Sequence, residues 1–421
     1  MNPKETIMQS NNKYSIIRRH YASYPEDWIR TELGELLKRV VKPVEVVPER
    51  EYREIGIRSH GKGLFHKEPV TGSDLGNKSV FWVKTDCLIM NIVFAWEQAV
   101  GITTTHEKGM IASHRFPMWQ SKGNVELDYL LRFFLTPFGR HLLELASPGG
   151  AGRNKTLSQD ELNKTLVCIP SSIQEQQRIV KVLSTWDHAI ALEEQLIAEK
   201  KRQKHWLMQN LLTGGKRLPG FTEQWQRVRL GDVCTINDTV LSENTQSDFR
   251  FWYIDLSSVD RGKITYPTLS VKFGELPLRA RRLFKKDDIL LSTIRPYLLG
   301  FAYINKEHNN YVCSTGFAVI RAKEGICPKF IYHALFSDGV IHQINQCLIG
   351  TNYPVLNHDD VYQLYFDCPS FPEQTAIAEI LSLADSEIDL HEKHLEELQK
   401  QKKTLMQLLL TGRVRVNAQE G

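Results

Sequence analysis

Residues 172–214 read SIQEQQRIVKVLSTWDHAIALEEQLIAEKKRQKHWLMQNLLTG, and this stretch decides the fold because it occurs twice. Shifted by 198 residues, it becomes SFPEQTAIAEILSLADSEIDLHEKHLEELQKQKKTLMQLLLTG at residues 370–412, with 20 of 43 positions identical. Self-similarity at so long a period indicates a duplicated unit of one domain plus one helix, and not a solenoid of short repeats.

Both copies carry the start and stop signals of helices. Ser172 stands three residues before Glu175, and Ser370 stands three residues before Glu373, which is the spacing of a capping box. Each copy ends in a Thr-Gly pair, and the glycine supplies the positive φ that closes a helix. We therefore predict one long helix over each copy.

The apolar residues of both copies recur at three- and four-residue spacing, which predicts a seam for another helix. The residues expected to pair the helices or dock a partner are Ile179, Leu183, Trp186, Ile190, Ile197, Leu207, Leu211, Ile377, Leu381, Ile388, Leu395, Leu405 and Leu409. The early half of each copy is acidic and the late half basic, so antiparallel pairing sets acid against base. The same order also complements each helix dipole, which leaves a simpler explanation open.

Length and composition bound the class of protein. At 421 residues the chain is long enough for two buried cores, and 42% hydrophobic with 24% charged residues is typical of a soluble globular protein. The net charge of +4 permits nucleic-acid binding without arguing for it. Seven scattered cysteines, no signal peptide and no apolar run of membrane-spanning length predict a cytoplasmic protein with reduced thiols.

The order of segments follows from two matching domain starts. YPEDWIRTELGEL begins at Tyr24, and FTEQWQRVRLGDV begins at Phe221. The predicted segments are an N-terminal extension (1–23), a first domain (24–171), a central helix (172–214), a second domain (215–369), a C-terminal helix (370–412) and a tail (413–421). Joining the two termini would restore the repeat. The predicted fold is α/β (α+β), with two similar domains separated by two long antiparallel coiled-coil helices in a pseudo-twofold, circular repeat.

Within each domain, corresponding strands and helices are expected at the same places. VFWVKTDCLIMNIVF (80–94) matches FKKDDILLSTIRPYLLGFAYI (284–304), with Asp86 aligned to Asp288. Amphipathic helical sequence and a glycine-containing loop follow in both halves. Elsewhere the halves diverge, so one architecture presents two different surfaces. Helices of about 57 Å, comparable to one or two turns of duplex DNA, suit a ligand read in two places.

These features resemble the specificity subunits of type I restriction-modification systems. The likeness rests on the proline and Glu-Gln helix starts, the LMQNLLTG and LMQLLLTG helix ends, and the KRLPGF linker at residues 216–221. It covers nearly all of the chain from Tyr24 to Gly412. The stretch EYREIGIRSHGKGLFHKEPV also looks like a segment of some first recognition domains in this family.

The resemblance implies a non-catalytic, prokaryotic DNA-reading subunit. Each variable domain would be a target recognition domain for one half of a split, asymmetric site in double-stranded DNA. The paired helices would set the spacing and dock two methyltransferase subunits, and restriction subunits would join for cleavage. S-adenosylmethionine, ATP and magnesium would belong to those partners, so no cofactor and no membrane contact is expected for this chain.

The search for catalytic motifs agrees with that expectation. A Walker-type phosphate loop, a glycine-rich dinucleotide fingerprint and HExxH do not occur in the sequence. Thr351-Asn352-Tyr353-Pro354 is only a superficial echo of an amino-methyltransferase motif. His391 and His394 share a helix face and could bind a metal, but a solvated helix face is the stronger interpretation, so no metal site is predicted.

Candidate DNA contacts come from basic and aromatic residues beside glycines. Arginine can read guanine, asparagine can read adenine, and lysine mostly holds phosphate. The candidates are Arg53, Arg58, His60, Lys62, Arg115, Arg153, Asn154 and Lys155 in the first domain, and Arg279, Arg281, Arg282, Arg295 and Tyr297 in the second. For any one of them, a solvated surface charge is the competing interpretation.

Two other functions stay open at this point. A coiled-coil scaffold with two variable partner-binding domains would show no steep loss of DNA affinity with salt. An enzyme acting unaided on nucleic acid would cleave strands without partners. The bases read, the spacer length and the presence of a restriction subunit do not follow from the sequence.

Overall fold

The computed structural model describes residues 17, 19–149, 155–242, 244–275, 279–307, 310–348 and 354–416. The chain forms two compact units. Unit 1 comprises Met1–Leu192 and Leu395–Gly421, and unit 2 comprises Glu193–His394. Each unit therefore contains one globular domain and parts of both long helices.

Two long helices cover the duplicated sequence. The central helix spans Ile173–Leu211, and the C-terminal helix spans Phe371–Leu410. The glycines that follow them, Gly214 and Gly412, have φ of 68° and 67°, as expected for residues that reverse the chain after a helix. The helices and their closing glycines are confirmed.

A four-stranded antiparallel sheet forms the centre of each domain. In unit 1 its strand order is Leu37–Val40, Met118–Ser121, Cys87–Met90 and Val100–Thr103. In unit 2 the order is Cys234–Ile236, Phe317–Ala322, Ile289–Ser292 and Phe301–Tyr303. The two sheets correspond strand for strand, so the predicted common architecture of mixed helix and strand is confirmed.

The alignment of the matching strands needs a correction of one residue. Asp86 and Asp287 both have positive φ, 55° and 70°. Their backbone N–H groups donate at 2.8 Å to Thr103 O and Ile304 O respectively. Asp86 therefore corresponds to Asp287 and not to Asp288, because the left-handed turn before the strand, and not the side-chain match, sets the register.

The amphipathic sequence after each sheet forms two helices with a break between them. They span Leu127–Phe134 and Pro137–Leu145 in unit 1, and Pro328–Leu335 and Asp338–Cys347 in unit 2. The break is a side-chain cap: Thr136 Oγ1 accepts from Gly139 N at 2.9 Å, and Ser337 Oγ accepts from Val340 N at 3.4 Å.

A two-stranded antiparallel ribbon joins the start of each domain to its end. Trp28–Glu32 pairs with Leu166–Pro170, and Gln226–Arg229 pairs with Tyr365–Cys368. Each ribbon ends directly before a long helix, so the helix leaves the domain at the point where the domain begins.

Of the remaining elements, the short helices Leu33–Leu36 and Gln159–Asn163 of unit 1 match Leu230–Val233 and His358–Gln363 of unit 2, whereas most of the other elements differ. Unit 1 adds strands Glu51–Tyr52, Ile55–Ile57, Leu64–His66, Val70–Thr71, Val80–Trp82 and Ile111–Ser113, and helices Tyr21–Ser23, Leu33–Leu36, Gly72–Leu75, Ala95–Glu97, Thr105–Glu107 and Gln159–Asn163. Unit 2 adds strands Arg250–Ile254, Val259–Asp260, Lys263–Ile264, Val271–Lys272, Ala280–Leu283 and Tyr311–Ser314, and helices Leu230–Val233, Leu256–Ser258, Phe273–Glu275, Pro296–Leu298 and His358–Gln363. Within the part of the chain that the structure describes, no helix could span a membrane.

Several residues of the predicted helix seam contribute to the domain cores as well. Ile179, Leu183 and Leu409 are buried in the core of unit 1. Leu211, Ile377 and Leu381 are buried in the core of unit 2, and Leu207 and Leu405 pack at the edges of these cores. Ile197 and Ile388 are also buried, whereas Trp186, Ile190 and Leu395 are half-buried. The helix ends therefore anchor the domains.

Candidate nucleic-acid interface and helix joints

A buried glutamine secures each helix start to its domain. Gln176 accepts from Glu126 N at 2.8 Å and donates to Pro170 O at 2.9 Å. Gln374 in unit 2 makes the same two bonds, each of 2.8 Å, to Cys327 N and Pro369 O. The repeated Glu-Gln pair is thus explained by a side chain that satisfies buried backbone groups.

The glutamate of the same pair does not form the predicted capping box. Glu175 binds Arg415 through both oxygens, at 2.7 and 2.9 Å, and Ser172 donates instead to Gln174. Glu373, which is fully buried, binds Arg217 through two bonds of 2.7 Å. The prediction was wrong because a guanidinium from the segment after the other helix offers a stronger, bidentate partner.

The long helices pair through opposite charges in each unit. In unit 2, Lys204 binds Asp385, and Lys200 binds Glu387 at 2.6 Å. In unit 1, Lys402 binds Asp187, which is the same pair displaced by the repeat. The residue number falls along one helix, from 204 to 200, as it rises along the other, from 385 to 387. The predicted antiparallel pairing is therefore confirmed.

His391 and His394 both contact the central helix. Their Nδ1 atoms lie 2.7 and 3.3 Å from Glu193 Oε1, and these hydrogen bonds, that of His391 first, lower the pKa of Glu193. Among the residues that the structure describes, no cluster of three or more potential metal ligands occurs. The two histidines thus contribute to helix pairing.

Four candidate DNA contacts of the first domain flank the strand Ile55–Ile57 or lie in the turn that joins it to Leu64–His66. Arg53, Arg58, His60 and Lys62 are all exposed. Arg53 Nε donates to Lys67 O at 3.0 Å, and the Arg58 guanidinium lies 5.0 Å from the ring of Phe65. Arg58 is therefore preoriented by a cation–π contact and by a hydrogen bond to Leu64 O at 3.4 Å, although the residue remains exposed.

The other first-domain candidates are more scattered. Arg115 is exposed in the loop before Met118–Ser121. Lys155 is half-buried, binds Glu144 and lies 5.3 Å from the ring of Trp96, so it already has internal partners. Arg153 and Asn154 lie outside the described residues.

The three arginines at positions 279, 281 and 282 of the second domain differ in their exposure and in their partners. Arg279 is exposed. Arg281 is half-buried, with its guanidinium 4.7 Å from the ring of Phe273. Arg282 donates to Phe317 O, and burial lowers its pKa. The cluster therefore combines surface arginines with one that stabilises the sheet.

Arg295 and Tyr297 occupy a strained, exposed turn at the end of a central strand. Arg295 has φ of 49°, its N–H donates to Pro354 O at 2.9 Å, and the side chain is exposed. Tyr297 is 45% exposed in the short helix that follows. Arg295 lines an open cleft, and the exposed ring of Tyr297 follows it in the chain, which suits contact with a nucleic-acid groove.

The structure brings out two candidates that the sequence interpretation missed. Arg261 in the turn after Val259–Asp260 is equivalent to His60, because both precede a glycine and a lysine and both have positive φ. Arg50 is exposed and lies near two adjacent rings, 5.4 Å from Tyr52 and 5.1 Å from Trp82. The repeated x-Gly-Lys sequence was a usable signal for the first, whereas the contact of Arg50 with both rings depends on folding.

Two exposed leucines stand at equivalent positions of the long helices. Leu192 is 51% exposed in unit 1, and Leu390 is 68% exposed in unit 2. The two are separated by the 198 residues of the repeat. Single exposed leucines are common on protein surfaces, so it is their occurrence at the same position of both copies that makes these two candidates for a contact with another protein.

Comparisons with known proteins agree with this architecture. A family model described as type I restriction modification DNA specificity domain matches residues 70–202 and 222–400. The type I restriction enzyme MjaVIII specificity subunit of Methanocaldococcus jannaschii is 24% identical over 441 residues, covering 97% of this chain and 98% of that protein.

Solved structures share the fold. The HsdS subunit of Thermoanaerobacter tengcongensis aligns with a TM-score of 0.51 at 16% identity, over 93% of this chain and 98% of that one. A chain from a structure on complex assembly and conformational transition of the type I restriction-modification system aligns with a TM-score of 0.58 at 16% identity, over 93% of this chain and 99% of that one.

The family model matches each half of the chain once, which defines the class as a subunit with two DNA-recognition domains. The chain belongs to the family of type I restriction-modification DNA specificity subunits, because the family model covers most of its length. Specificity subunits are non-catalytic, and their role is to recognise DNA for the complex.

Proposed function

We propose that this chain reads a bipartite, asymmetric site in double-stranded DNA, one half with each domain. The observation that supports the proposal best is the contrast between the two units. The central sheets and helix joints are repeated, whereas the added strands pair differently in the two units and most of the exposed basic residues have no counterpart in the other unit. Two different surfaces on one repeated framework suit two different half-sites.

The proposed DNA contacts are the exposed basic residues on those differing surfaces. Their guanidinium edges can donate to guanine or to phosphate oxygens. The proposed contacts are Arg53, Arg58, His60, Lys62, Arg115, Arg279, Arg281, Arg295 and Tyr297, with Arg50 and Arg261 added. Lys155, Arg281 and Arg282 rank lower than the others because each is half-buried and already has a partner within its own domain.

The proposal includes two methyltransferase subunits and, through them, restriction subunits. The equivalent exposed leucines, Leu192 and Leu390, support two docking sites of the same kind. A surface that occurs twice by duplication binds two copies of one partner. S-adenosylmethionine, ATP and magnesium are assigned to those partners.

Detection of modified adenines in genomic DNA tests the proposed function. Cells that express this chain with its neighbouring methyltransferase are expected to carry a two-part motif that cells without this chain lack. Exchange of either domain is expected to change one half of the motif and leave the other half. Methylation that does not depend on this chain would favour the protein scaffold instead.

Replacing Leu390 with aspartate is expected to remove one of the two methyltransferase subunits. The side chain is 68% exposed, so folding changes little, whereas a charge in an apolar contact costs docking energy. Mass measurement of the purified complex should give one methyltransferase per chain. Leu383→Asp is the matched control, since Leu383 is 73% exposed and its repeat counterpart is Thr185. Two methyltransferases on L390D would contradict the assignment.

A further inference from the structure

Unit 1 fixes its domain to the central helix through one arginine. Arg132, on the helix Leu127–Phe134, donates to Asp187 Oδ2 at 2.7 Å and to Ser184 Oγ at 2.8 Å. Lys402 of the C-terminal helix binds the other oxygen of Asp187. One carboxylate therefore ties the domain and both helices together.

Unit 2 has the same arrangement with a histidine in place of the arginine. His333 lies at the equivalent position of the helix Pro328–Leu335, with its Nε2 atom 3.1 Å from Ser382 Oγ. Lys204 binds Asp385 Oδ1, as Lys402 binds Asp187. His333 Nδ1, however, lies 3.9 Å from Asp385 Oδ2, which is beyond hydrogen-bond distance.

The shorter imidazole leaves the second joint incompletely bonded. His333 is 1% exposed, and its Nδ1 atom has no hydrogen-bond partner in the structure. A cleft of about 250 Å³ opens beside it, between the C-terminal helix and the turn that contains Arg261 and Lys263. An arginine side chain is long enough to enter this space and reach Asp385.

The charges at the two joints differ in the same way as the hydrogen bonds, and unit 2 again has the weaker joint. Burial raises the pKa of Asp187, but the hydrogen bonds from Lys402 and Arg132 outweigh burial, and the net pKa is lowered. Burial raises the pKa of Asp385, and among the described residues Lys204 is the one lysine or arginine that forms an ion pair with it. Burial also lowers the pKa of His333 to about 3, so the imidazole is neutral at neutral pH. The second joint thus lacks one ion pair.

We propose that Arg132 and His333 are positioning residues that set how firmly each recognition domain is held on the helix pair, and that the histidine makes the second domain the more mobile reader. This inference rests on the proposed function. One base pair added to the spacer shifts a half-site by about 3.4 Å and rotates it around the duplex. A domain that is held by the weaker joint can move with the displaced half-site at a lower cost in free energy.

The experiment compares adenine methylation on DNA with the native spacer and on DNA with one base pair added or removed. The measured quantity is the ratio of modification on the altered spacers to that on the native spacer. His333→Arg is expected to lower this ratio about fivefold, and Arg132→His to raise it about fivefold, the factor that one partly buried ion pair supplies. The double exchange R132H/H333R should return the ratio toward that of the wild type.

The controls separate positioning from general stability. His333→Gln keeps a neutral group that can bond Ser382, and is expected to leave the ratio unchanged. If R132H or H333R does not accumulate as folded protein, R132Q, which removes the cation, and H333K, which adds one, replace them with the same expected directions. A shift in melting temperature with an unchanged ratio would overturn the inference. Absence of any chain-dependent methylation with the wild type would instead overturn the proposed function.

Discussion

Replacing Arg217 with alanine is expected to lower the free energy of unfolding of unit 2 by about 3 kcal/mol, because it leaves a buried carboxylate without its cation. Glu373 is fully buried and receives two bonds of 2.7 Å from Arg217. Trp225 Nε1 at 3.1 Å would be the remaining side-chain donor. Urea denaturation, followed with a probe placed in unit 2, measures the change.

The double variant R217A/E373Q provides the control for this effect. Removal of the charge together with its partner should recover more than half of the loss, because the penalty comes from the isolated carboxylate. Arg415→Ala is the repeat-related comparison. We expect a smaller loss of about 2 kcal/mol, because Glu175 is also buried but keeps 8% of its side chain exposed, whereas Glu373 has none exposed. Equal losses for the two arginines would contradict the argument from burial.

Replacing Leu381 with alanine is expected to destabilise unit 2 by about 3 kcal/mol through the cavity that it creates. Leu381 is fully buried at the joint between the C-terminal helix and the domain core, together with Ile377 and Leu211. Thermal and urea unfolding of the purified chain provide the measurement. Dimethyl sulfoxide or detergent should be absent, since either can fill an apolar cavity.

Leu383→Ala is the matched control, because Leu383 lies two residues away on the same helix and is 73% exposed. Its substitution should change the free energy of unfolding by less than about 0.5 kcal/mol. A similar loss for L381A and L383A would show that helix propensity, and not packing against the domain, determines the effect. Loss at Leu381 alone supports the interpretation of the helix ends as domain anchors.

The sequence identified some of the candidate DNA contacts correctly as exposed residues, but not all of them. Exposed basic loops such as that of Arg58 could be found from composition and nearby glycines, because such residues remain in solvent. Arg282 and Lys155 looked equivalent to them in sequence, yet each has an internal partner that folding supplies. Which basic residues contact bases stays a prediction, because base recognition depends on side-chain geometry in the grooves.

The sequence by itself determined the duplication, the two long helices and their antiparallel pairing. These features follow from local signals, namely apolar periodicity, closing glycines and the order of charges along each copy. Only the tertiary structure decided where the helix-start glutamates and the seam leucines find their partners. Glu373 and Glu175 bind arginines 156 and 240 residues away, and the leucines are shared with domain cores. Contacts at such separations depend on how the chain returns on itself, which local patterns do not encode.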